Sequence, residues 1–399
     1  MNKRQRVISM LRGQKPDKVP WFADLAYWID YLNDVGRMPD KYLQDQTPQQ
    51  REVLSTGLAA PFNGPGLIQL HKDLNTGFYL QGYFPFYTVY DDQVQAETKL
   101  EGNRKITSVK TPYGNMREIW EYIFATHSWG PREFMLKDSD DIKKYQYLYE
   151  HTSYLPDYGT AKARADLVKE IGVNLVYMPK SPLMELVALH AGIEAVTYMI
   201  ADDEGEFADL MMVMRAKHDE ACEIALNAPA ECIMIPENLS SDTISPRMYR
   251  QYCADYAAYW TDRIRKAGKF SFVHLDGVIN PLLTEVSNIG FDVVEGLTPA
   301  PVGDLAFEQL RPITKNNAIL WGGIPSGYFG PSVSDADFDT YVIRLIRQMA
   351  ADGRSVLAVG DQVVPGAEFA RIARVHELVE QYGSYEDVPI TKENEDLLL

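Results

Sequence analysis

Residues 269–277, with the sequence KFSFVHLDG, decide how the rest of the chain is interpreted. The run FSFV is apolar and β-prone, so we predict a buried strand that ends at the polar pair His274 and Asp276. Side chains two positions apart on a strand point to the same side, and the pair could therefore bind one ion. The alternative is a core histidine bonded to a backbone carbonyl, with Asp276 capping the next helix.

Similar apolar runs recur through the second half of the chain, separated by segments with helical patterns such as 183–201, 246–267 and 335–352. Near-continuous apolar strands that alternate with helices predict a parallel sheet covered on its faces. We expect strands at 173–178, 232–235, 270–273, 291–294, 318–321 and 355–359.

Two further segments bring the expected number of strands to eight. Residues 18–22 form a short extended piece beside two prolines, and another strand is expected near 66–70. Eight parallel strands with intervening helices predict an α/β fold, a closed (β/α)8 TIM-type barrel. An open doubly wound sheet is the alternative, but no Gly-x-Gly-x-x-Gly turn follows these strands. We expect a single domain over 1–399, with 66–130 inserted as an antiparallel β elaboration.

Composition and charge argue against several classes of function. The chain has 399 residues, 46% of them hydrophobic and 24% charged, and its net charge of −17 opposes binding to the phosphates of nucleic acid. No apolar run approaches the ~20 residues of a membrane span, and no apolar leader segment follows the basic start. Three cysteines without CxxC spacing give no disulfide framework, so we expect a cytoplasmic protein.

Polar residues follow the predicted strands at the points where the strands end. In a barrel, the carboxyl ends of the strands form the face where chemistry takes place. Acidic side chains gathered there repel one another unless a cation neutralises them, and an imidazole with two or three carboxylates suits Zn²⁺ with one open position. The alternative is that the acids cap helices or pair with arginine or lysine. The residues concerned are Glu237 and Asn238, His274 and Asp276, Glu295, Gly322 and Gly323 after Trp321, and Asp361.

Aromatic residues crowd into eleven positions near the start of the chain. Such a group is a core seam under a helix or an aromatic wall for a flat or cationic ligand. We assign Trp21, Tyr27 and Trp28 to the substrate side of the site, together with Asn238 and Trp321.

Several short segments resemble the uroporphyrinogen decarboxylase superfamily over nearly the whole chain. They are 6–21, TPYG at 111–114, SPLME at 181–185, ISPRMY at 244–249 and GGI at 322–324. The resemblance implies a barrel. Decarboxylases of this superfamily carry an arginine-rich element that binds porphyrin carboxylates, whereas the corresponding segment here, 19–28, contains no arginine.

The second branch of the superfamily, which this chain resembles more, comprises corrinoid-linked methyltransferases. Their zinc is held by a His-x-Cys motif and a distant cysteine. His274 matches the motif, and Asp276 and Asp361 stand where the cysteines are expected. Carboxylates leave zinc harder and more electrophilic than thiolates do, which suits an oxygen leaving group.

The resemblance therefore implies a zinc-dependent methyltransferase that moves a methyl group from an O-methyl donor, such as an aryl methyl ether, to the cobalt(I) corrinoid of a partner protein. Glu237, His274 and one or both of Asp276 and Asp361 are expected to hold zinc, and Glu295 to orient the substrate or a water. The alternatives are a metal-free decarboxylase-like lyase and a non-catalytic binding relative. A homodimer is compatible with the sequence.

Overall fold

A curled sheet of seven parallel strands forms the centre of the computed structural model, which describes residues 1–43, 64–79, 83–314 and 318–385. Its strands are β1 (Trp21–Phe22), β8 (Leu175–Tyr177), β9 (Cys232–Leu239), β10 (Phe270–Leu275), β11 (Val293–Leu297), β12 (Ile319–Pro325) and β13 (Ser355–Gly360). Their order in the sheet is β1-β13-β12-β11-β10-β9-β8, and every neighbouring pair is parallel. All six strands predicted in the second half of the chain are present, which confirms the α/β fold.

The extended pair Gly77–Phe78 closes the gap between β1 and β8. Gly77 forms a parallel bridge to Phe22, and Phe78 forms one to Gly172. The eighth strand expected near 66–70 was therefore placed wrongly. Those residues belong to the helix Pro65–Asp73, which begins at a proline and buries apolar side chains at helical spacing.

The antiparallel strands expected within 66–130 lie between residues 86 and 133. One antiparallel sheet contains the strands β3 (Gln95–Glu101), β4 (Arg104–Thr111), β5 (Gly114–Ile123) and β6 (Ser128–Glu133). Strand β2 (Phe86–Tyr90) pairs with the later β7 (Thr152–Pro156) in a separate two-stranded ribbon. Two-residue turns connect β3 to β4, through Gly102 with φ of 61°, and β4 to β5.

Helices cover the outside of the parallel sheet, as expected from the predicted alternation. No helix in the described ranges is both long and apolar enough to cross a bilayer. Two π-helical turns, Leu186–His190 and Tyr249–Cys253, interrupt the helical segments. The α-helices are α1 (Lys3–Leu11), α2 (Ala26–Asp34), α3 (Pro65–Asp73), α4 (Ile142–Glu150), α5 (Tyr158–Val168), α6 (Pro182–Glu185), α7 (Gly192–Asp202), α8 (Glu204–Asn227), α9 (Pro246–Met248), α10 (Ala254–Lys266), α11 (Leu282–Ile289), α12 (Phe307–Ile313), α13 (Asp335–Asp352) and α14 (Phe369–Tyr382).

The alternation of side chains along the strands divides the core in two. The smaller cluster fills the inside of the curled sheet and includes Phe22, Tyr79, Phe272 and Trp321, with apolar residues of α1 packed against it. The larger cluster lies between the strands and the helices and includes Trp21. Since Trp21 and Phe22 are consecutive on β1, they point to opposite sides of the sheet.

The closure beside β8 depends on a close backbone approach at Gly172. A Cβ atom there would lie 1.7 Å from the carbonyl oxygen of Phe78. We expect Gly172→Ala to lower the free energy of unfolding by about 3 kcal/mol, because the added methyl must push two backbone segments apart. Urea denaturation measures the change. Gly205→Ala in α8 is the matched control, since no atom beyond its chain neighbours and the backbone of its own helix lies within 4 Å of the added methyl. Equal losses in both variants would contradict the account.

Candidate metal centre

Three side chains meet at the carboxyl ends of β10 and β13. The Nε2 atom of His274 lies 3.8 Å from Asp276 Oδ2 and 3.7 Å from Asp361 Oδ1. One ligand atom from each residue lies within 4.8 Å of the other two. These separations are too long for direct hydrogen bonds but are close to the roughly 3.4 Å between atoms that share a tetrahedral ion. We call this group the His274 cluster.

Tight turns at the strand ends bring the members of the His274 cluster together. Asp361 has φ of 65°, an uncommon conformation for a residue with a side chain. The preceding Gly360 passes so close to Thr298 that a Cβ atom would lie 2.6 Å from its hydroxyl oxygen. On β11, Gly296 has φ of 83°, and a Cβ atom there would lie 2.7 Å from Cε1 of His274. Both glycines are therefore needed for the close packing around the cluster.

A buried carboxylate orients the ring of His274. Glu295 pairs with His274 in the register of β10 and β11, and its Oε2 atom lies 2.6 Å from Nδ1. The hydroxyl of Tyr79 donates to the other oxygen of Glu295 at 2.8 Å. Because the carboxylate accepts from Nδ1, the ring turns Nε2 towards the two aspartates, as in many histidines that bind metals.

The charges around the cluster favour a bound cation. Burial alone would lower the pKa of His274, but the charge of Glu295 and the nearby Asp276 raise it well above its ordinary value. Burial, together with the charges of Asp276 and Glu295, raises the pKa of Asp361 to about 6. One imidazole nitrogen and two carboxylate oxygens form a donor set that fits zinc and leaves a position open for substrate.

Glu237 lies outside the His274 cluster, within a neighbouring polar group. Its carboxylate accepts the backbone N–H of Ser181 at 3.1 Å and the hydroxyl of Ser181 at 3.0 Å. Burial raises the pKa of Glu237 to about 7, opposed by the charge of Lys180. Lys180 donates to the carbonyl of Pro236, and burial lowers its pKa to about 8. Asn238 is exposed, and its Oδ1 atom lies 3.5 Å from Nζ of Lys180.

The structure does not bring the tryptophans of the predicted aromatic wall to the cluster. Trp28 is fully buried, donates to the carbonyl of Ala367 and packs against helix α14. Trp21 stacks on the ring of Phe329 on the helix side of the sheet. Trp321 lies inside the barrel with its ring centroid 4.6 Å from that of Tyr79. Tyr27 is partly exposed, and its backbone N–H donates to the side-chain oxygen of Gln362, the neighbour of Asp361.

Two residues near the cluster were missed in the sequence. Asp24 lies two positions after the end of β1, and burial, with the charges of Asp361 and Glu295, raises its pKa to about 8. The rule that singled out the other acids, a carboxylate at the carboxyl end of a strand, would have found Asp24. Tyr79 was missed because the eighth strand was placed near 66–70 instead of at Gly77–Phe78.

An α/β barrel with acidic residues and a histidine at the strand ends is the architecture of many enzymes. The chain belongs to the uroporphyrinogen decarboxylase (URO-D) family, whose sequence model matches residues 136–382, more than half of the chain. This match confirms the superfamily expected from the short segments.

One solved structure supports the same fold. A methyltransferase from Methanosarcina mazei matches with a TM-score of 0.61 and 14% identity, over 96% of this chain and 99% of that chain. A mutant of N-acetyl-D-glucosamine-6-phosphate deacetylase from Mycobacterium smegmatis matches with a TM-score of only 0.26 and 12% identity, over 66% of this chain and 62% of that chain. A search of curated proteins finds no match. Together, the family and the fold support an enzyme.

The buried position of Glu237 makes the stability of the fold depend on pH. Its pKa is about 7 in the folded protein against an ordinary value of 4.5, so the charged form is disfavoured by folding. The contribution of Glu237 to the free energy of unfolding is fully present below about pH 4.5 and is lost as the pH rises through about 7. We expect Glu237→Gln, which keeps an oxygen to accept from Ser181, to be more stable than the wild type by about 3 kcal/mol at pH 8.

Urea denaturation at a series of pH values measures this difference. The control is Glu97→Gln, whose side chain is 66% exposed, and its difference from the wild type should not change with pH. A constant difference between Glu237→Gln and the wild type across the same series would show that Glu237 ionises normally.

Proposed function

We propose that this protein is a zinc-dependent methyltransferase that moves a methyl group from an O-methyl donor to the cobalt(I) corrinoid of a partner protein. The observation that carries the proposal is the His274 cluster, with one nitrogen and two oxygen ligands at the face of the barrel where chemistry occurs. Asp276 and Asp361 have side chains that are 31% and 47% exposed, so the cluster can be reached from outside the barrel.

The chain's own residues have separate tasks in this proposal. His274, Asp276 and Asp361 would hold the metal, while Glu295 fixes the ring of His274. Zinc at this site would supply Lewis acidity towards an oxygen leaving group, and the corrinoid of the partner would supply the nucleophile that accepts the methyl group. Glu237 is left out of the ligand set because its oxygens already accept hydrogen bonds from Ser181.

The oxygen that loses its methyl group keeps the electron pair of the broken bond and needs a proton. Asp24 is a suitable proton donor, because its pKa of about 8 keeps it largely protonated at neutral pH. The backbone N–H of Val363 donates to the carbonyl of Asp24, which places Asp24 beside the turn that carries Asp361. Glu237, with a pKa of about 7, is a second group that can exchange a proton near neutral pH.

An aryl methyl ether remains the donor class that we propose, but fewer aromatic side chains can contact its ring than the sequence predicted. The packing of Trp21 and Trp28 leaves Tyr27 as the member of the predicted wall that can meet a ring at the barrel mouth. Tyr27 also donates from its hydroxyl to the carbonyl of Thr126 at the antiparallel sheet, which fixes the position of its ring.

A metal-free decarboxylase-like lyase is the second candidate. The observation in its favour is the pair of buried carboxyl groups, Asp24 and Glu237, whose raised pKa values suit protonation of a carbanion. This reaction releases carbon dioxide and requires neither zinc nor a corrinoid.

Metal content and methyl transfer test the proposal together. Protein purified without chelator should contain about one Zn²⁺ per chain, and His274→Ala and Asp361→Asn should lose it. The rate of methyl transfer from a methoxylated phenol to free cob(I)alamin can be measured from the absorbance of the cobalamin. This rate should fall by about 100-fold or more in both variants.

The matched control for this experiment is Asp335→Asn, which changes an aspartate with a side chain that is 93% exposed. Its zinc content and transfer rate should equal those of the wild type. Methyl transfer at the wild-type rate by metal-free protein would refute the proposal, and metal-independent release of carbon dioxide from a carboxylic acid would favour the lyase.

A further inference from the structure

A cavity of about 340 Å³ lies beneath the antiparallel strands. Strands β2, β4, β5 and β7 form one side of it, and α4 with the π-helical turn Leu186–His190 forms the other. None of the residues that line it belongs to the His274 cluster. Its volume is within the range of small-molecule sites, and π-helical turns are frequent at functional positions.

Six of the residues that line this cavity carry the aromatic rings of phenylalanine or tyrosine. Two of them, Phe84 and Tyr90, are 38% and 43% exposed, so the cavity has an opening to solvent. The faces of such rings carry negative electrostatic potential and attract cations. The aromatic residues of the wall are Phe84, Phe86, Tyr90, Tyr145, Tyr149 and Tyr154.

Two carboxylates add negative charge to the same wall. Burial would raise the pKa of Glu118, but His190 holds it below its ordinary value. Burial would also raise the pKa of Glu185, but His218 lowers it to about 2. Both glutamates are therefore charged at neutral pH.

The polar atoms of the wall are not all satisfied within the protein. Glu118 Oε2 and His190 Nδ1 are buried and lack a hydrogen-bond partner. They lie 3.5 Å apart, and Nε2 of His190 lies 3.9 Å from Glu185 Oε1. Glu118 Oε2 is therefore left with unused capacity at the wall of an aromatic cavity, which is costly unless a ligand supplies a favourable partner. The oxygens of Glu185 already have partners, since Oε1 accepts from the hydroxyl of Tyr149 and Oε2 lies 3.3 Å from Nε2 of His218.

We propose that this cavity binds a small organic cation of the alkylammonium class. The aromatic rings would contact the alkyl groups, and Glu118 and Glu185 would balance the charge. A bare metal ion fits less well, because rings supply no ligand atoms and, among the described residues, the His274 cluster is the group with three ligands close enough to share an ion. The inference does not depend on the proposed methyl transfer.

Choline and its uncharged isostere, in which a carbon atom replaces the nitrogen, are suitable probes. Calorimetric titration of the full chain should show that choline binds at least about tenfold more tightly than the isostere. Glu118→Gln should weaken the binding of choline by about tenfold and leave the binding of the isostere unchanged, because the substitution removes charge but keeps the shape. Tyr90→Leu, which removes an aromatic ring at the opening, should also weaken the binding of choline.

Two further variants locate the binding. Glu121 lies on the same strand as Glu118 but on the opposite face, where it pairs with Arg104 and Arg132. Glu121→Gln should therefore not change the affinity for choline. Asp361→Asn should not change it either. Equal binding of choline and its isostere, no binding of choline at about 10 mM, or loss of choline binding in Asp361→Asn but not in Glu118→Gln would overturn the inference.

Discussion

The hydrogen bond between His274 and Glu295 is the constraint on which the site depends. It joins two neighbouring strands at the same register and fixes which ring nitrogen of His274 faces the aspartates. Without an acceptor at Nδ1, the ring could rotate or carry its proton on Nε2, and the three ligand atoms would no longer face a common centre. The contact of Tyr79 with the same carboxylate extends this fixed arrangement across the barrel interior.

This constraint explains the unusual backbone around the site. Gly296 and Gly360 allow the ring of His274 and the hydroxyl of Thr298 to approach the strands more closely than a side chain would permit. Asp361 accepts a left-handed conformation at the end of β13. Strain of this kind is retained where the surrounding structure determines the position of a functional side chain, and it accumulates here at the carboxyl ends of the strands.

The strands and part of the site could be predicted from the sequence because each depends on local pattern. Apolar runs identify buried strands, and polar residues at the end of a run identify the carboxyl edge of the sheet, which led to His274, Asp276 and Asp361. The direction of a side chain on a two-residue strand is not a local property, so Trp21 could not be assigned to the helix side. Neither could the sequence show that Ser181, far from Glu237 along the chain, would occupy its carboxylate.

The eighth strand position of the barrel likewise could not be predicted from local sequence pattern. Residues 66–70 are apolar enough for a strand, yet the proline at 65 and the helical spacing place them in a helix. The residues that close the barrel, Gly77 and Phe78, are a short bridge that no periodic pattern marks. Missing them also concealed Tyr79 and its contact with Glu295.

Anomalous scattering at the zinc edge from a crystal of the full chain tests the central claim most directly. The account predicts one strong peak about 2.0–2.2 Å from Nε2 of His274 and from one oxygen each of Asp276 and Asp361, with Glu295 still bonded to Nδ1. A peak held by Glu237 instead, or a ring of His274 turned away from both aspartates with no ion beside it, would contradict the account.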